Sequence, residues 1–333
     1  MVTMADVARE AGVSTATVSH VLNDTRRVRA ETRDLVLAAI ARTGYTHNTI
    51  ARSLVTASTR SIALAMSASS NPYFGQVLNS VEAEAAAAGY ILLVSDPHED
   101  PERELRVVGS LHQRRVDGII LAASPDPRPA LDYLAQRSVP VLLIDRFVDP
   151  ALDQVGSENV EPTAQLVDHL AQIGHRRIGM IAGRTGLSTS AERVEGYLQG
   201  LARNGLPSDP RLVADGASDE RPARRAVGRL LDLESPPTAL VVGNNAMTIG
   251  VVRALHEAGK SVPGDMAVVV YDDFPWADVF SPRLTAIAQP SREIGSLAIR
   301  MLLERLADPS LPPRTVRLQP RLMHRDSCGC GHT

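Results

Sequence analysis

Three short apolar runs in this sequence end on side chains suited to holding a small polar molecule. Asp145-Arg146 follows residues 141–144, Asn244 follows residues 239–242 by one glycine, and Asp272 follows residues 266–271. Carboxylates, carboxamides and guanidinium groups together offer paired donors and acceptors to vicinal hydroxyls. Asp145 and Arg146 are equally able to pair with each other. No Gly-x-Ser-x-Gly, His-Glu-x-x-His or doubled Cys-x-x-Cys occurs, so no catalytic constellation is expected and the chain reads as a non-enzyme. Ala258-Gly259-Lys260-Ser261 imitates the end of a phosphate-binding loop. Ala254 stands where that motif needs its first glycine, and a helix precedes it instead of a strand, so a helix end is the better reading. The two cysteines, Cys328 and Cys330, lie in a Cys-Gly-Cys-Gly-His tail. Two thiols and one tail histidine make an incomplete metal site, so neither metal nor cofactor is expected.

The elements that position these groups are those of a large α/β chain. Its 333 residues are too many for one compact core. Hydrophobic residues at 44 % and charged residues at 22 % are ordinary for a globular protein. No apolar run reaches the roughly 18 residues needed to span a bilayer, and the first residues carry Asp6 and Glu10 with no apolar stretch. No membrane partner is expected, and with no disulfide framework the expected location is the cytoplasm. The net charge is −3, unevenly spread. Residues 1–60 hold eight arginines and five acids, a surplus of three positive charges, so the remainder carries −6. A basic head on an acidic body is the footprint of a DNA-binding domain attached to a regulatory one.

Within the head, Thr3-x-x-Asp6 forms a capping box for a helix to about residue 11, and Gly12 suits the left-handed position that ends it. Ser14 caps a second helix over 15–22, with Val18, Val21 and Leu22 inward. A third runs over 30–43, with Leu35, Val36, Ala39 and Ile40 expected inward and Gly44 closing it. Two short helices joined by a tight turn and backed by a third make a helix-turn-helix, although the pattern alone also describes a generic small bundle.

Residue identity separates the two. Asp6-Val7-Ala8-x-x-Ala11-Gly12-Val13-Ser14-x-Ala16-Thr17-Val18-Ser19-x-Val21-Leu22-Asn23 closely resembles the head of the LacI-type repressor family, which includes lac, galactose, ribose and purine repressors. Glu31-Thr32-Arg33, Gly44-Tyr45 and Ala51-Arg52-Ser53-Leu54 extend the match, which covers the whole chain. The resemblance implies that the second helix enters the major groove of double-stranded operator DNA. Thr15, Ala16 and His20 then fall on the base-reading positions. Thr15 offers a hydroxyl or a methyl, Ala16 a methyl for thymine, and His20 a donor for purine N7 or guanine O6. Ser14, Thr17, Ser19 and Asn23 fall on backbone-contacting positions, with plain helix surface as the alternative for Thr17 and Ser19. Residues 48–55 resemble the family's hinge helix, which is too short to stand alone in water. There Ala51 and Leu54 match the minor-groove contacts, Leu54 as the wedge that kinks the duplex. Arg29 departs from the usual Ser or Thr cap of the third helix.

The body alternates apolar runs (62–66, 90–94, 118–122, 141–144, 178–181, 239–242, 266–271) with helical stretches (73–88, 102–114, 163–173, 191–204, 221–231, 247–258). That alternation predicts two doubly wound parallel-sheet subdomains, which bind ligands beyond the carboxyl ends of their strands. The resemblance extends to periplasmic sugar-binding proteins of the same type I fold. It places Asn71, Tyr73, Phe74, Asp145, Arg146, Arg193, Asn244, Asp272 and Gln289 on effector-contacting positions. The two carboxylates Asp145 and Asp272 balance the guanidiniums Arg146 and Arg193, which favours a neutral monosaccharide or related polyol. A nucleoside or a sugar phosphate is the alternative. Ala217 and Ser218 stand where sugar and purine binders supply an aromatic wall, and Leu187 stands about where the purine repressor has an arginine. Glu158-Asn159 and Asn244-Asn245 replace the common Asp-Asn and Asn-Asp.

The expected organisation is a helix-turn-helix domain over 1–47, a hinge helix and linker over 48–60, and an effector-binding and dimerisation domain over 61–330. One subdomain comprises 61–159 with 290–319, the other 160–289 with 320–330, joined by crossings near 159–161, 289–291 and 319–322. The expected protein is a sequence-specific homodimeric repressor of a carbohydrate operon, controlled by its effector. No heptad segment follows Ser327, so a dimer is expected and not a tail-linked tetramer.

Overall fold

The computed structural model describes residues 2–23, 26–45, 58–67, 71–274, 277–279 and 281–330, with Asn23 placed by its backbone only. It divides into two compact units, Met1–Thr59 and Arg60–Thr333. In the first, α1 (Met4–Ala11), α2 (Thr15–Asn23) and α3 (Ala30–Thr43) surround one small core. The capping box is present. Thr3 Oγ1 accepts from the Asp6 amide, and Asp6 Oδ2 accepts in turn from the Thr3 amide at 2.9 Å. Gly12 sits at φ 67° and lets the chain reverse into α2 at once. Ser14 Oγ accepts from the Thr17 amide at 3.1 Å. Val7, Ala8, Ala11, Val18, Val21, Val36 and Ala39 fill the core, with Leu22 and Ile40 partly buried against it. Leu35 does not join them and is 54 % exposed. The inward stripe of α3 runs Val36, Ala39, Ile40, an i, i+3, i+4 set to which residue 35 does not belong. Arg29 makes no side-chain cap bond.

The second unit holds two six-stranded sheets. The first sheet contains β1 (Ser61–Ala65), β2 (Ile91–Ser95), β3 (Gly118–Leu121), β4 (Val141–Ile144), β5 (Asp153–Ser157) and β11 (Thr315–Leu318). Their spatial order is β11-β5-β4-β3-β1-β2, and all pairs are parallel. The second contains β6 (Ile178–Ala182), β7 (Val213–Asp215), β8 (Ala239–Val242), β9 (Ala267–Tyr271), β10 (Thr285–Ala288) and β12 (Arg321–Met323). Their order is β12-β10-β9-β8-β6-β7, with only β12 antiparallel. Helices cover both faces: α4 (Pro72–Ala87), α5 (Pro101–Gln113), α6 (Arg128–Gln136) and α11 (Ser291–Ala307) on the first sheet, and α7 (Val160–Gln172), α8 (Ser188–Arg203), α9 (Glu220–Leu231) and α10 (Asn245–Glu257) on the second.

Coverage on both faces explains why the strands read as unbroken apolar runs. In β1, Ile62 and Leu64 enter one cluster while Ala63 and Ala65 enter the other. In β9, Val268 and Val270 face one way and Ala267, Val269 and Tyr271 the other. The chain passes between the sheets three times: from β5 into α7 at Asn159, from β10 through Gln289-Pro290 into α11, and from β11 to β12 through residues 319–320. β5, β7, β10, β11 and β12 were not among the apolar runs. In β5, polar Asp153 and Gln154 are nevertheless buried, Asp153 held by Arg305 at 3.0 Å and by the Arg314 amide at 2.9 Å.

Candidate functional site

The nine body residues singled out from the sequence line a single cavity of about 230 Å³. Each arrives there by a local device. Asp145 follows β4 and Asp272 follows β9, and both adopt the left-handed region, at φ 69° and 76°. Such a conformation is uncommon outside glycine and costs energy, although aspartate tolerates it better than most residues. It bends the backbone sharply at the strand end and turns both carboxylates inward. Gly156 makes room for this: a Cβ there would lie 2.9 Å from the Asp145 carbonyl oxygen.

Asn71 and Asn244 reach the cavity as helix caps. Asn71 Oδ1 accepts from the Tyr73 amide at 2.8 Å, and Asn244 Oδ1 accepts from the Met247 amide at 2.8 Å. Capping occupies each oxygen and leaves each Nδ2 to donate. Asn71 Nδ2 donates to Asp272 Oδ2 at 3.2 Å, and Gln289 Nε2 donates to Asp272 Oδ1 at 2.5 Å. Asp272 is thereby gripped from α4 on one side and from the β10–α11 crossing on the other. Tyr73 and Phe74 stack tilted, with centroids 5.1 Å apart, and form an aromatic wall of the cavity. Ala217 and Ser218, which also line the cavity, lie in left-handed backbone, and Leu187 is buried in its wall.

Sequence reasoning missed Glu99. It forks onto Arg146, with bonds of 2.8 and 2.6 Å to the two terminal nitrogens. Asp145 is the lesser partner of Arg146, 3.6 Å from its Nε. The signal that would have found Glu99 is its place in the loop beyond β2, the strand end equivalent to that of Asp145. This also corrects the charge balance. Four lining carboxylates (Glu99, Asp145, Asp219, Asp272) face three guanidiniums (Arg146, Arg184, Arg193) among the described residues. Arg193 is largely committed as well. Its Nε donates to Asn159 Oδ1 at 2.9 Å and its Nη1 to the Gly243 carbonyl at 2.6 Å, while the guanidinium lies 3.7 Å over the Tyr271 ring.

Burial pushes the Asp145 carboxyl above the ordinary carboxylate range, Arg146 and Arg193 pull it back, and Asp272 adds to the rise. The Tyr73 hydroxyl is driven well above its usual value, chiefly by burial, with Asp145 and Asp272 adding to the rise. Gln289 Oε1 is buried without a hydrogen-bond partner, and the buried Tyr73 hydroxyl has only a loose interaction with the Asp145 carboxyl.

On the head, Ser14, Thr15 and Ala16 are exposed at the start of α2, and Thr17, Ser19 and His20 are half-buried along it. Ser14 Oγ and Thr17 Oγ1 lie 2.9 Å apart in a hydrogen bond. The side chain of Asn23, and all of Ala51 and Leu54, lie outside the described residues.

Residues 3–48 match the family model for bacterial regulatory proteins of the lacI family, and residues 167–328 match that for a periplasmic binding protein-like domain. The HTH-type transcriptional repressor PurR of Haemophilus influenzae (strain PittEE) is 35 % identical over 92 % of this chain and 91 % of its own length. The lac repressor dimer bound to operator and the anti-inducer ONPF superposes with a TM-score of 0.88 at 29 % identity, covering 98 % of this chain and 99 % of that one. A complex of the transcriptional regulator CelR with cellobiose gives 0.76 at 28 % identity, covering 98 % and 100 %.

Proposed function

The chain belongs to the LacI family of bacterial regulatory proteins and is a DNA-binding transcriptional repressor; from that premise we infer that its effector is a neutral polyol of monosaccharide size, held between the two sheets of the body. A homodimer acting in the cytoplasm then reads a pseudo-palindromic operator through Thr15, Ala16 and His20. Ser14, Thr17, Ser19 and Asn23 take the phosphates, and Ala51 and Leu54 enter the minor groove.

The observation that carries the effector reading is the state of the cavity's polar atoms. Gln289 Oε1 is buried and unpartnered, the buried Tyr73 hydroxyl has only a loose interaction with the Asp145 carboxyl, and an unmet buried polar group costs about 1–3 kcal/mol. A ligand rich in hydroxyls meets both, accepting from the tyrosine and donating to the amide oxygen. A phosphate oxygen cannot donate to Gln289 Oε1, and it would enter a cavity where carboxylates outnumber guanidiniums. The volume of about 230 Å³ lies below the roughly 300–1,000 Å³ of drug-sized sites, which suits one sugar ring and not two.

Relationship to repressors named PurR favours a second reading, a nucleoside stacked on Phe74. Against it stand Ala217, which offers no opposing ring, and Leu187, which offers a base edge no hydrogen bond. Titration calorimetry against pentoses, hexoses, nucleosides and sugar phosphates separates the two. Saturable heat from a neutral sugar alone supports the polyol reading, and heat only from nucleosides or phosphorylated compounds overturns it.

Ligand closure has a route to the hinge. Asn159, at the first crossing, accepts from Arg193 and donates to Glu192 at 2.8 Å, and Glu192 in turn accepts from Arg317 of β11 at 2.7 Å. Tyr271, beneath Arg193, donates to the Glu158 carbonyl at 2.6 Å. A ligand that moves Arg193 therefore acts on segments beside two of the three crossings. Rotation of one half against the other is the expected response, and its effect on the paired heads is the expected switch.

A further inference from the structure

Far along the chain from the cavity residues of α4, two imidazoles and two thiols converge. His169 lies on α7, His324 follows β12, and Cys328 and Cys330 lie in the tail; their four ligand atoms all fall within 4.8 Å of one another. His324 Nε2 is 3.2 Å from His169 Nε2, 2.8 Å from Cys330 Sγ and 3.7 Å from Cys328 Sγ. The two sulfurs are 2.7 Å apart and both cysteines are free. Four lone-pair-bearing atoms thus face a common centre. One Nε2 carries at most one proton and cannot satisfy three such neighbours. A divalent cation at the centre would satisfy all four.

We propose that His169, His324, Cys328 and Cys330 form a Cys2His2 zinc site that fastens the C-terminal tail to α7. Two thiolates and two imidazoles in a tetrahedral set select zinc among common divalent ions, with zinc–sulfur and zinc–nitrogen bonds of about 2.3 and 2.0–2.1 Å. Those bonds set ligand–ligand edges of about 3.3–3.8 Å. Of the four observed distances, the 3.7 Å between His324 and Cys328 lies in that range and the 3.2 Å between the imidazoles falls just short of it. The sulfur pair and the Cys330–His324 contact are shorter, and a rotation of half-exposed Cys330 opens both. Binding releases the thiol protons and draws on folding free energy, because two stretches of chain far apart in sequence must meet. The tail reading on sequence lacked two of these ligands. It counted the tail histidine, His332, whereas the fold supplies His169 and His324.

The site adjoins the core of the second sheet, where Cys328 is fully buried among Leu170, Ile178 and Tyr271, with Cys330 packed against the same cluster. It joins the helix entered from the first crossing to the segment entered from the third. Zinc therefore stiffens the second half of the body beside two hinge strands.

The test uses the full chain purified under reducing conditions and supplied with zinc chloride alone. Elemental analysis after desalting is expected to give one zinc per chain, and cobalt substitution to give tetrahedral d–d bands with thiolate charge transfer. Cys330→Ser and His169→Gln are expected to lose stoichiometric zinc while keeping a native circular dichroism spectrum. A strong chelator is expected to lower the Tm of the parent and leave both variants unmoved. A parent that binds no zinc, variants that retain it in full, or thiols already consumed in a Cys328–Cys330 disulfide would each overturn the proposal. Should both variants fail to fold, the cobalt spectrum of the parent decides alone: thiolate charge transfer supports the site and its absence refutes it.

Discussion

If α2 enters the groove as proposed, replacing His20 by alanine removes a ring donor from it and leaves the hydroxyls of Ser14, Thr17 and Ser19 in place. The expected cost is about 1–3 kcal/mol, concentrated at one base pair of each half-site. Selection from a randomised operator library reads this directly, and a uniform loss at every position would argue that His20 acts on the backbone instead. Asp272→Ala is expected to abolish the effector response, since this carboxylate is the meeting point of Asn71 and Gln289, while operator affinity without effector stays within twofold. A variant that still releases or retains DNA normally on adding ligand would remove Asp272 from the site. At this scale the sequence was legible where a polar residue ends an apolar run, as at Asp145 and Asp272. It was illegible where a partner came from a distant loop. Glu99 lies 47 positions from Arg146; its place beyond β2 marks it as a strand-end residue, but its pairing with Arg146 emerges only in the fold.

Elements were read best where burial is two-sided or capping is local. The continuous runs of β1, β4 and β8, and the capping box at Thr3, carry their geometry in their own residues. β5 hid because its register buries Asp153 and Gln154 on partners contributed by residues 305–315, so polarity masked a central strand. Leu35 misled for the opposite reason, being apolar at an outward position. The element whose failure would be most informative is the first crossing. Asn159→Ala severs both the Arg193 and the Glu192 bonds. Effector affinity is expected to change little, while the effector-dependent change in operator affinity shrinks by about 0.5–2 kcal/mol. Fluorescence anisotropy on operator with and without ligand measures that coupling. An unchanged ratio would show that Asn159 holds the hinge together without transmitting anything.

At the scale of the molecule, the division into a small helical unit and a large two-sheet unit fits a reader and a sensor on one chain. Two readers in a symmetric dimer require a pseudo-palindrome of about 14–18 base pairs, given the half-site geometry of helix-turn-helix dimers. A pyrimidine–purine step at its centre makes the kink cheaper. Leu54→Ala is expected to weaken binding through lost kinking, with little change in preference at the flanking bases. Circular-permutation gel shifts report the bend: an undiminished bend would exclude Leu54 as the wedge, and an asymmetric single footprint would exclude the dimer reading.

The left-handed turn at Asp145 carries a carboxyl into a buried position, at a cost to the free protein. The carboxyl is buried and its pKa raised in the folded state, so the native form holds its proton to higher pH than the unfolded chain does. Ionisation therefore detracts from stability as pH rises past the unfolded pKa, and the full penalty is present above the raised folded value. Asp145→Asn keeps a residue that tolerates positive φ and removes the charge. It is expected to melt higher than the parent near neutral pH, to lose that advantage in acid where the parent is protonated, and to respond poorly to effector. Thermal melts across a pH series test this, and a variant no more stable than the parent at any pH would refute it. Selection for a tougher protein would then discard this aspartate, and selection for a responsive one would keep it, which sets durability against sensitivity at a single position.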